Sequence, residues 1–194
     1  MSTSGNNGQT RTYMREPAKR VFATEFRESR LQFKAGDDEF SPSYVMLPTG
    51  ERSNRIFICG VMTQKEKKGD QNMFYTARIR DPTGLFFINA GGYQPEAMQQ
   101  ISQIEEKAYV AVVGKSTVRE TPDGSVFVSV RAESVTEIDM ETYKCWVDDT
   151  AEQTLNRLDV FGSTDDSINA KEFYSTNPEV FRTAVFDALK QIEI

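Results

Sequence analysis

The sequence contains no histidine and only two cysteines among its 194 residues. Histidine is the commonest general base and the commonest transition-metal ligand, so its absence argues against catalysis and against a metal site. Cys59 and Cys145 are too few for a disulfide framework or a zinc site. Because no nucleophile–base pair, Walker loop or GxGxxG run occurs either, we expect a non-enzymatic protein without a cofactor.

Long hydrophobic runs are also missing. No stretch of about 18 apolar residues occurs, so the sequence predicts no transmembrane helix. The N-terminal stretch MSTSGNNGQTRTYMREP lacks the apolar centre of a signal peptide. With so few cysteines as well, the expected location is cytoplasmic.

The negative charge of the chain is unevenly distributed. There are 29 Asp and Glu residues against 23 Lys and Arg, which gives a net charge of −6. Residues 132–194 hold 14 of the acidic residues and only 5 of the basic ones, whereas residues 55–131 hold 10 basic and 8 acidic residues. The overall charge therefore does not exclude a nucleic-acid partner, because the middle of the chain can present a local basic surface.

The middle of the chain has the pattern of short β-strands. Residues 55–63 are rich in β-forming residues around Gly60, where we expect a bulge or a bend. Residues 73–81 alternate between apolar and polar side chains, and residues 85–92 alternate again after the turn sequence DPTG. This segment therefore predicts three consecutive antiparallel strands.

A helix and two further strands complete the pattern. Residues 95–106 begin with proline and carry apolar residues at helical spacing. Residues 108–120 and 125–138 alternate like strands on either side of the turn sequence TPDG. The order β-β-β-α-β-β predicts a mainly β, closed five-stranded barrel of the oligonucleotide/oligosaccharide-binding (OB) type, with its helix between strands three and four. Rival barrels of the SH3 type lack a full helix at that place.

The segments on either side of the barrel are predicted to be extensions. We divide the chain into an N-terminal part (1–53), the OB barrel (54–139) and an acidic helical C-terminal part (140–194). In the N-terminal part we expect a tail, a short helix within residues 15–27, and extended segments that cover the barrel or add a strand to it.

The C-terminal part is predicted to contain two helices. Residues 139–161 carry a helical stripe of apolar residues, residues 162–177 have the composition of a polar linker, and a last helix starts at Asn177-Pro178. The apolar stripe of this last helix either packs inside the chain or binds a groove on another protein. In the second case the partner-binding residues are Phe181, Val185, Leu189 and Ile192.

The strand alternation also predicts a ligand surface. OB barrels bind across strands two and three and beside the loops that join strands one to two and four to five. If the apolar residues of each strand face the core, the outer face combines cations, which neutralise phosphates, with aromatic rings, on which unstacked bases can lie. The predicted nucleic-acid-binding residues are Lys65, Lys67 and Lys68 in the first loop, Phe74, Arg78 and Arg80 on the second strand, Phe87 and Asn89 on the third, Arg119 beside the TPDG turn, and Phe127 and Arg131 on the fifth.

These residues also have explanations that involve no ligand. Phe74 and Phe87 can pack beneath the N-terminal segment or a C-terminal helix. Arg78 and Arg80 can pair with carboxylates on neighbouring strands, which contributes little to stability, and the lysine-rich loop can simply be solvated. Asp81 is expected to form the turn rather than to act as an acid.

Several stretches together resemble the archaeal replication protein A-associated proteins. They are SYVMLPTGERSNRIFICGVMT, RIRDPTGLFF, AGGYQPEA, AYVAVVGK, SVRAESVTEID and WVDDTAEQTLNRL, and they lie within about residues 43–160. The resemblance implies an OB-fold protein that acts with a larger single-strand-binding subunit in the replication and repair of DNA. It carries no residue assignments, so the site residues rest on the strand alternation.

The expected function is therefore that of a single-stranded DNA-binding accessory subunit that acts with replication protein A in DNA replication and repair. Two alternatives stay open. The chain can be a protein-interaction subunit whose barrel binds no DNA, which the acidic C-terminal part favours. It can also be a module that binds RNA or tRNA, because the same barrel serves both kinds of nucleic acid.

Overall fold

The computed structural model describes residues 16–37, 41–175 and 177–192. Almost all of the predicted N-terminal tail lies outside these ranges. Within the described ranges, no helix has the length and apolar character needed to cross a membrane.

The described residues form nine strands and five helices. In chain order the strands are β1 (Lys19–Arg20), β2 (Leu31–Lys34), β3 (Ser43–Met46), β4 (Arg52–Ser53), β5 (Arg55–Lys68), β6 (Phe74–Asp81), β7 (Gly84–Ala90), β8 (Tyr109–Glu120) and β9 (Val126–Glu137), and the helices are α1 (Ala23–Glu28), α2 (Pro95–Gln103), α3 (Met140–Asp159), α4 (Asp165–Phe173) and α5 (Glu179–Ile192).

Strands β5 to β9 close into a barrel. The first half of β5, up to Val61, pairs with β8, and the second half, from Val61 onward, pairs with β6. The circle then continues from β6 to β7, from β7 in parallel to β9, and from β9 to β8. Helix α2 connects β7 to β8 and packs against β6 and β9. The predicted OB fold is confirmed, including the position of its helix.

Gly60 lies where β5 changes its pairing partner. A Cβ atom at this position would be 2.4 Å from the backbone oxygen of Arg80 and 2.8 Å from Cγ2 of Ile79. The absence of a side chain therefore permits the close approach of β6. The bend expected around this glycine corresponds to the transfer of β5 from β8 to β6.

One hydrophobic core joins the barrel to both flanking parts. Inside the barrel it contains the inward-facing residues of the alternating strands, such as Ile79, Phe86 and Ile88. The flanking helices add buried side chains to the same cluster. They are Ala23 and Phe26 from α1, Trp146, Val147 and Ala151 from α3, and Val185 and Ala188 from α5. The three predicted parts of the chain are thus stabilised together by shared burial.

The helix predicted within residues 15–27 is wrong in its first half. Lys19 and Arg20 instead form β1, which pairs in parallel with β5. The extended segments that were expected to cover the barrel or add a strand to it form the separate small sheet β2–β3–β4. The helix begins only at Ala23, whose backbone N–H donates to the Asp81 carboxylate at 2.7 Å, while the next amide donates to the Thr83 hydroxyl at 3.0 Å. Because these acceptors lie on the β6–β7 turn, local sequence does not show where the helix starts.

The linker predicted at residues 162–177 contains helix α4. Thr164 caps its start in a capping box with Ser167. Behind the helix, the Tyr174 hydroxyl donates to the backbone oxygen of Met46 at 2.7 Å and accepts from the N–H of Leu31 at 2.9 Å. The helix is thus held on the small sheet β2–β3–β4. The polar composition of residues 162–177 gave no sign of a helix there.

Helix α5 packs inside the chain. Its predicted start is confirmed, because the Asn177 side chain accepts from the N–H of Glu179 at 3.1 Å. The side chains proposed for a partner groove all face the core: Phe181 and Val185 are buried, and Leu189 and Ile192 are half-buried. This packing corrects the partner-binding interpretation, because a side chain buried in the core cannot also fill a groove on another protein.

Candidate nucleic-acid interface

A cleft of about 270 Å³ lies on the outer face of the barrel. It crosses three neighbouring strands and reaches a fourth at its edge. The side chains that line this β6–β7 cleft are Gln64, Glu66 and Lys68 of β5, Thr76 and Arg78 of β6, Phe87 and Asn89 of β7, and Ser129 of β9. Four of the eleven predicted nucleic-acid-binding residues are therefore brought together here.

Arg78 and Phe87 form the centre of the cleft. They lie directly opposite each other in the β6–β7 register, so their side chains emerge on the same face. The guanidinium carbon of Arg78 lies 5.6 Å from the centroid of the Phe87 ring, within the range of a cation–π contact. Among the described residues, no carboxylate lies within ion-pair distance of Arg78. The explanation of Arg78 by ordinary strand-to-strand ion pairing is thus not what the structure shows.

Both predicted stacking rings are open to solvent. Phe87 is 42% exposed and Phe74 is 37% exposed. Phe74 lies opposite Lys68, next to the loop that connects β5 to β6. Neither ring is sealed beneath the described N-terminal or C-terminal segments, so both can accept a base on one face.

The lysine-rich stretch is strand rather than loop. β5 continues to Lys68 because residues 64–68 pair with β6. Since directly paired residues share a face, Lys68 lies on the side of Phe74 and faces the cleft, whereas Lys67 lies on the side of Tyr75. Lys68 is also 3.1 Å from the carboxylate of Glu66. The prediction that Lys65, Lys67 and Lys68 lie together in the first loop is therefore corrected.

Lys65 has a structural role instead. Its ammonium group donates to the backbone oxygens of Ser102 and Ile104, at 2.9 and 2.7 Å. These carbonyls belong to the last turn of α2, where a cation also interacts favourably with the helix dipole. Lys65 therefore fastens α2 to β5 and is not placed to meet a ligand in the cleft.

The remaining predicted residues extend along the same outer face. Arg80 is exposed two residues beyond Arg78, and the Asn89 amide is 3.4 Å from the Ser129 hydroxyl on the cleft floor. Arg119 and Phe127 lie opposite each other on the two-stranded end of β8–β9, where Phe127 is 59% exposed. Neither of these last two lines the cleft.

Arg131 lies at the edge of a second hollow. It pairs with Asn89 of β7 on one side and with Lys115 of β8 on the other. The hollow has a volume of about 440 Å³ and is lined by Arg55, Tyr93, Gln94, Pro95, Glu96, Lys115, Arg131 and Glu133. We call it the basic hollow. The sequence prediction did not include Tyr93 or Lys115. The alternation along β8 could have indicated Lys115, because it places this residue on the outer face, away from the buried valines.

Asp81 forms the turn, as predicted, and lies outside the cleft. One carboxylate oxygen accepts from the Thr83 N–H, the Thr83 hydroxyl and the Gly84 N–H, at 2.7 to 2.9 Å. Burial raises the pKa of Asp81 to about 6, and these hydrogen bonds together with that from Ala23 oppose the rise. Both carboxyl oxygens of Asp81 accept hydrogen bonds from donors within the fold, so the carboxyl has a structural role.

A larger hollow lies away from the barrel face. It has a volume of about 460 Å³ between the small sheet and α4, and its walls are mainly apolar. The arginine on its rim, Arg52, donates twice to the carboxylate of Asp166 and lies 5.6 Å from the ring of Phe33. With this cation already paired, the larger hollow is a weaker place for phosphate than the β6–β7 cleft.

Known structures show a similar fold. No family model and no curated protein matches the chain. A chain in the crystal structure of the S. pombe Stn1–Ten1 complex is similar with a TM-score of 0.57 and 11% identity, over 82% of this chain and 100% of that chain. This likeness shows the OB fold.

Two other solved structures match less fully. A chain of a replication protein A heterotrimer bound to single-stranded DNA gives a TM-score of 0.45 at 14% identity, over 65% of this chain and 88% of that chain. The second single-stranded DNA-binding protein of Mycobacterium smegmatis gives 0.38 at 18% identity, over 45% and 88%.

Proposed function

We propose that the protein binds single-stranded DNA in the β6–β7 cleft. The observation that carries the proposal is the pair Arg78–Phe87, in which an unpaired guanidinium lies over a ring that is itself 42% exposed. A nucleotide offers a flat base for such a ring and a phosphate for such a cation. Phe74 and Lys68 place a second ring and a second cation at the end of the same face, with Lys68 also in contact with Glu66.

The cleft favours a single strand over a duplex. Bases in a duplex are stacked on one another, so their faces are not available to Phe74 or Phe87. In a single strand each base that lies on an aromatic ring contributes ~1–3 kcal/mol, largely without regard to sequence. The adjacent cations add counterion release, which makes binding salt-dependent.

Fluorescence anisotropy with labelled oligo(dT) at several salt concentrations tests the proposal. The variant Arg78→Ala/Arg80→Ala is expected to bind more weakly and to lower the slope of log affinity against log salt by about 0.7 for each lost phosphate contact. Phe87→Ala is expected to weaken binding by ~1–3 kcal/mol with little change of slope, because the ring carries no charge.

A matched control removes the same charge elsewhere. Lys171 and Lys190 are exposed on α4 and α5 and line neither the cleft nor the basic hollow. Lys171→Ala/Lys190→Ala should bind oligo(dT) like the unchanged protein. Equal affinity and equal slope in the Arg78/Arg80 variant would contradict the proposed site, and tighter binding of oligo(U) than of oligo(dT) would redirect the proposal to RNA.

The proposal extends to an accessory role in DNA replication and repair beside a larger subunit of replication protein A, in the cytoplasm and without enzymatic activity. Two observations support it. The stretches within about residues 43–160 resemble the replication protein A-associated proteins, and the similar Stn1–Ten1 chain belongs to a protein complex.

Co-expression with the larger subunit tests this role. The two chains are expected to elute together in gel filtration and to bind oligo(dT) more tightly than either chain alone. Co-elution without any DNA binding by the isolated chain would select the protein-interaction alternative, and separate elution would contradict the accessory role.

A further inference from the structure

A row of paired residues leads away from the β6–β7 cleft across the barrel. Asn89 in the cleft lies opposite Arg131, Arg131 lies opposite Lys115, and Lys115 lies opposite Arg55. Directly paired residues share one face of the sheet, so the row is continuous on the outer surface. With neighbouring strands about 4.8 Å apart, it extends roughly 14 Å from β7 to β5.

Two cations in this row have no carboxylate partner. Arg55 is occupied, since it donates to the Glu133 carboxylate with two nitrogens, the longer contact being 2.9 Å. By contrast, over the ranges that the structure describes, no ion pair involves Lys115 or Arg131. Both line the basic hollow together with Arg55, Glu96 and Glu133, so three cations stand against two carboxylates and the lining carries a net positive charge next to the cleft.

Tyr93 adds an aromatic ring to the same hollow. It follows two glycines after β7 and is 97% exposed, far more than the other exposed aromatic residues of the described chain. The turn beneath it is closed by a hydrogen bond of 2.8 Å from the N–H of Gln94 to the oxygen of Gly91. A ring so exposed contributes almost nothing to the core, so both of its faces are open to a stacking partner.

We infer that Tyr93, Lys115 and Arg131 form a second subsite for single-stranded DNA, continuous with the β6–β7 cleft. The strand leaves the cleft at Asn89, its phosphates contact Arg131 and Lys115, and a base stacks on Tyr93. This inference rests on the proposed function and deepens it, because it says that the bound strand runs from the β6–β7 cleft over β9 towards β8. It also predicts that the preferred oligonucleotide is longer than the cleft alone accommodates.

Anisotropy with oligo(dT) of two lengths tests the second subsite. A short oligonucleotide of about 5 nucleotides and a longer one of about 15 lie near the two ends of the range of site sizes of OB folds, about 4 to 16 nucleotides. Tyr93→Ala/Lys115→Ala is expected to weaken binding of the longer oligonucleotide about tenfold and to change binding of the shorter one less than about twofold. Tyr93→Phe keeps the ring and should bind both lengths normally.

A control variant removes the same two kinds of side chain from another surface. Lys171 and Phe173 are exposed on α4, outside the cleft and the basic hollow, and Lys171→Ala/Phe173→Ala should bind both lengths like the unchanged protein. Photo-crosslinking gives a second readout: with 5-bromouracil at one end of the longer oligonucleotide, we expect the crosslink in the peptide that contains Tyr93.

The outcomes separate this inference from the proposed function. If the unchanged protein binds both lengths, Arg78→Ala weakens both, and the Tyr93/Lys115 variant weakens neither, the second subsite is wrong and the cleft stands. An equal loss for both lengths would also overturn it, because the two subsites would then not be distinct. If the unchanged protein binds neither length, the proposed function itself fails.

Discussion

The Asp81 carboxylate accepts a hydrogen bond from the backbone N–H of Ala23, the first residue of α1, although the two residues are 58 positions apart. Its other oxygen accepts three hydrogen bonds from Thr83 and Gly84 within the β6–β7 turn. One buried side chain thus closes the hairpin that carries the candidate binding face and also holds the N-terminal helix on the barrel.

Replacing Asp81 by Asn should destabilise the protein. The amide keeps one oxygen for the turn but turns an N–H₂ group toward the N–H of Ala23, so a buried donor loses its acceptor. We expect the free energy of unfolding at about pH 7, where the Asp81 carboxyl is ionised, to fall by ~1–3 kcal/mol, measured by urea denaturation.

The TPDG turn supplies the matched control for this substitution. Asp123 makes similar turn contacts but is fully exposed, so Asp123→Asn should have little effect. Equal stability of the two variants would contradict the role assigned to the contact between Asp81 and Ala23.

The raised pKa of Asp81 predicts a specific pH dependence. Burial raises the pKa from 3.8 to about 6, so the folded protein holds this proton more tightly than the unfolded chain. The stabilisation that comes from protonated Asp81 is fully present below about pH 4 and is lost as the pH rises through about 6. The stability difference between the unchanged protein and Asp81→Asn should therefore narrow over that interval, by up to ~3 kcal/mol.

Urea denaturation of both proteins between about pH 4 and pH 7 measures the effect. A difference that instead widens with rising pH would mean that the four hydrogen bonds outweigh burial and that the pKa of Asp81 lies below its ordinary value.

A buried ion pair joins α1 to α3. The Arg157 guanidinium donates to the Glu25 carboxylate at 2.8 Å and to the Thr49 hydroxyl at 2.8 Å, and Glu25 is fully buried. Arg157→Met leaves that carboxylate without its cation, so we expect a loss of ~3–5 kcal/mol in the free energy of unfolding. Glu25→Leu/Arg157→Met removes both charges and should recover part of the loss.

A double-mutant cycle in urea measures this coupling. Arg182, which is partly exposed and pairs with the exposed Asp159 and Glu179, serves as the surface comparison, and Arg182→Met should change stability little. If Arg157→Met behaves like Arg182→Met, the buried pair does not stabilise the docking of the two helices.

The two lysines at positions 65 and 68 should separate stability from binding. Lys65→Ala removes two hydrogen bonds to the last turn of α2 and is expected to lower the free energy of unfolding by ~0.5–1.5 kcal/mol without altering the salt dependence of oligo(dT) binding. Lys68→Ala should lower the salt slope of oligo(dT) binding and leave the free energy of unfolding almost unchanged, because Lys68 faces the cleft. A reduced salt slope in Lys65→Ala would restore the phosphate-binding role predicted from sequence.

The faces of the strands were predictable from the chain alone. Side chains alternate between the two faces of a strand with a period of two, so the sequence alone shows which face is apolar. Accordingly, Ile79 and Phe86 are buried, whereas Arg78 and Phe87 are exposed. Turn residues and proline likewise indicate the hairpin at DPTG and the starts of α2 and α5, because these signals act within a few residues.

Other features depend on contacts between distant residues. The stretch around Lys65 has a loop-like composition and becomes strand only because β6 pairs with it, and α4 is retained by Tyr174 against Met46, 128 positions away. The row from Asn89 to Lys115 likewise exists only through the parallel pairing of β7 with β9. Local residue patterns determined which side chains leave the core, whereas pairing across the closed barrel decided which of them meet, because register is set by partners that lie far away in sequence.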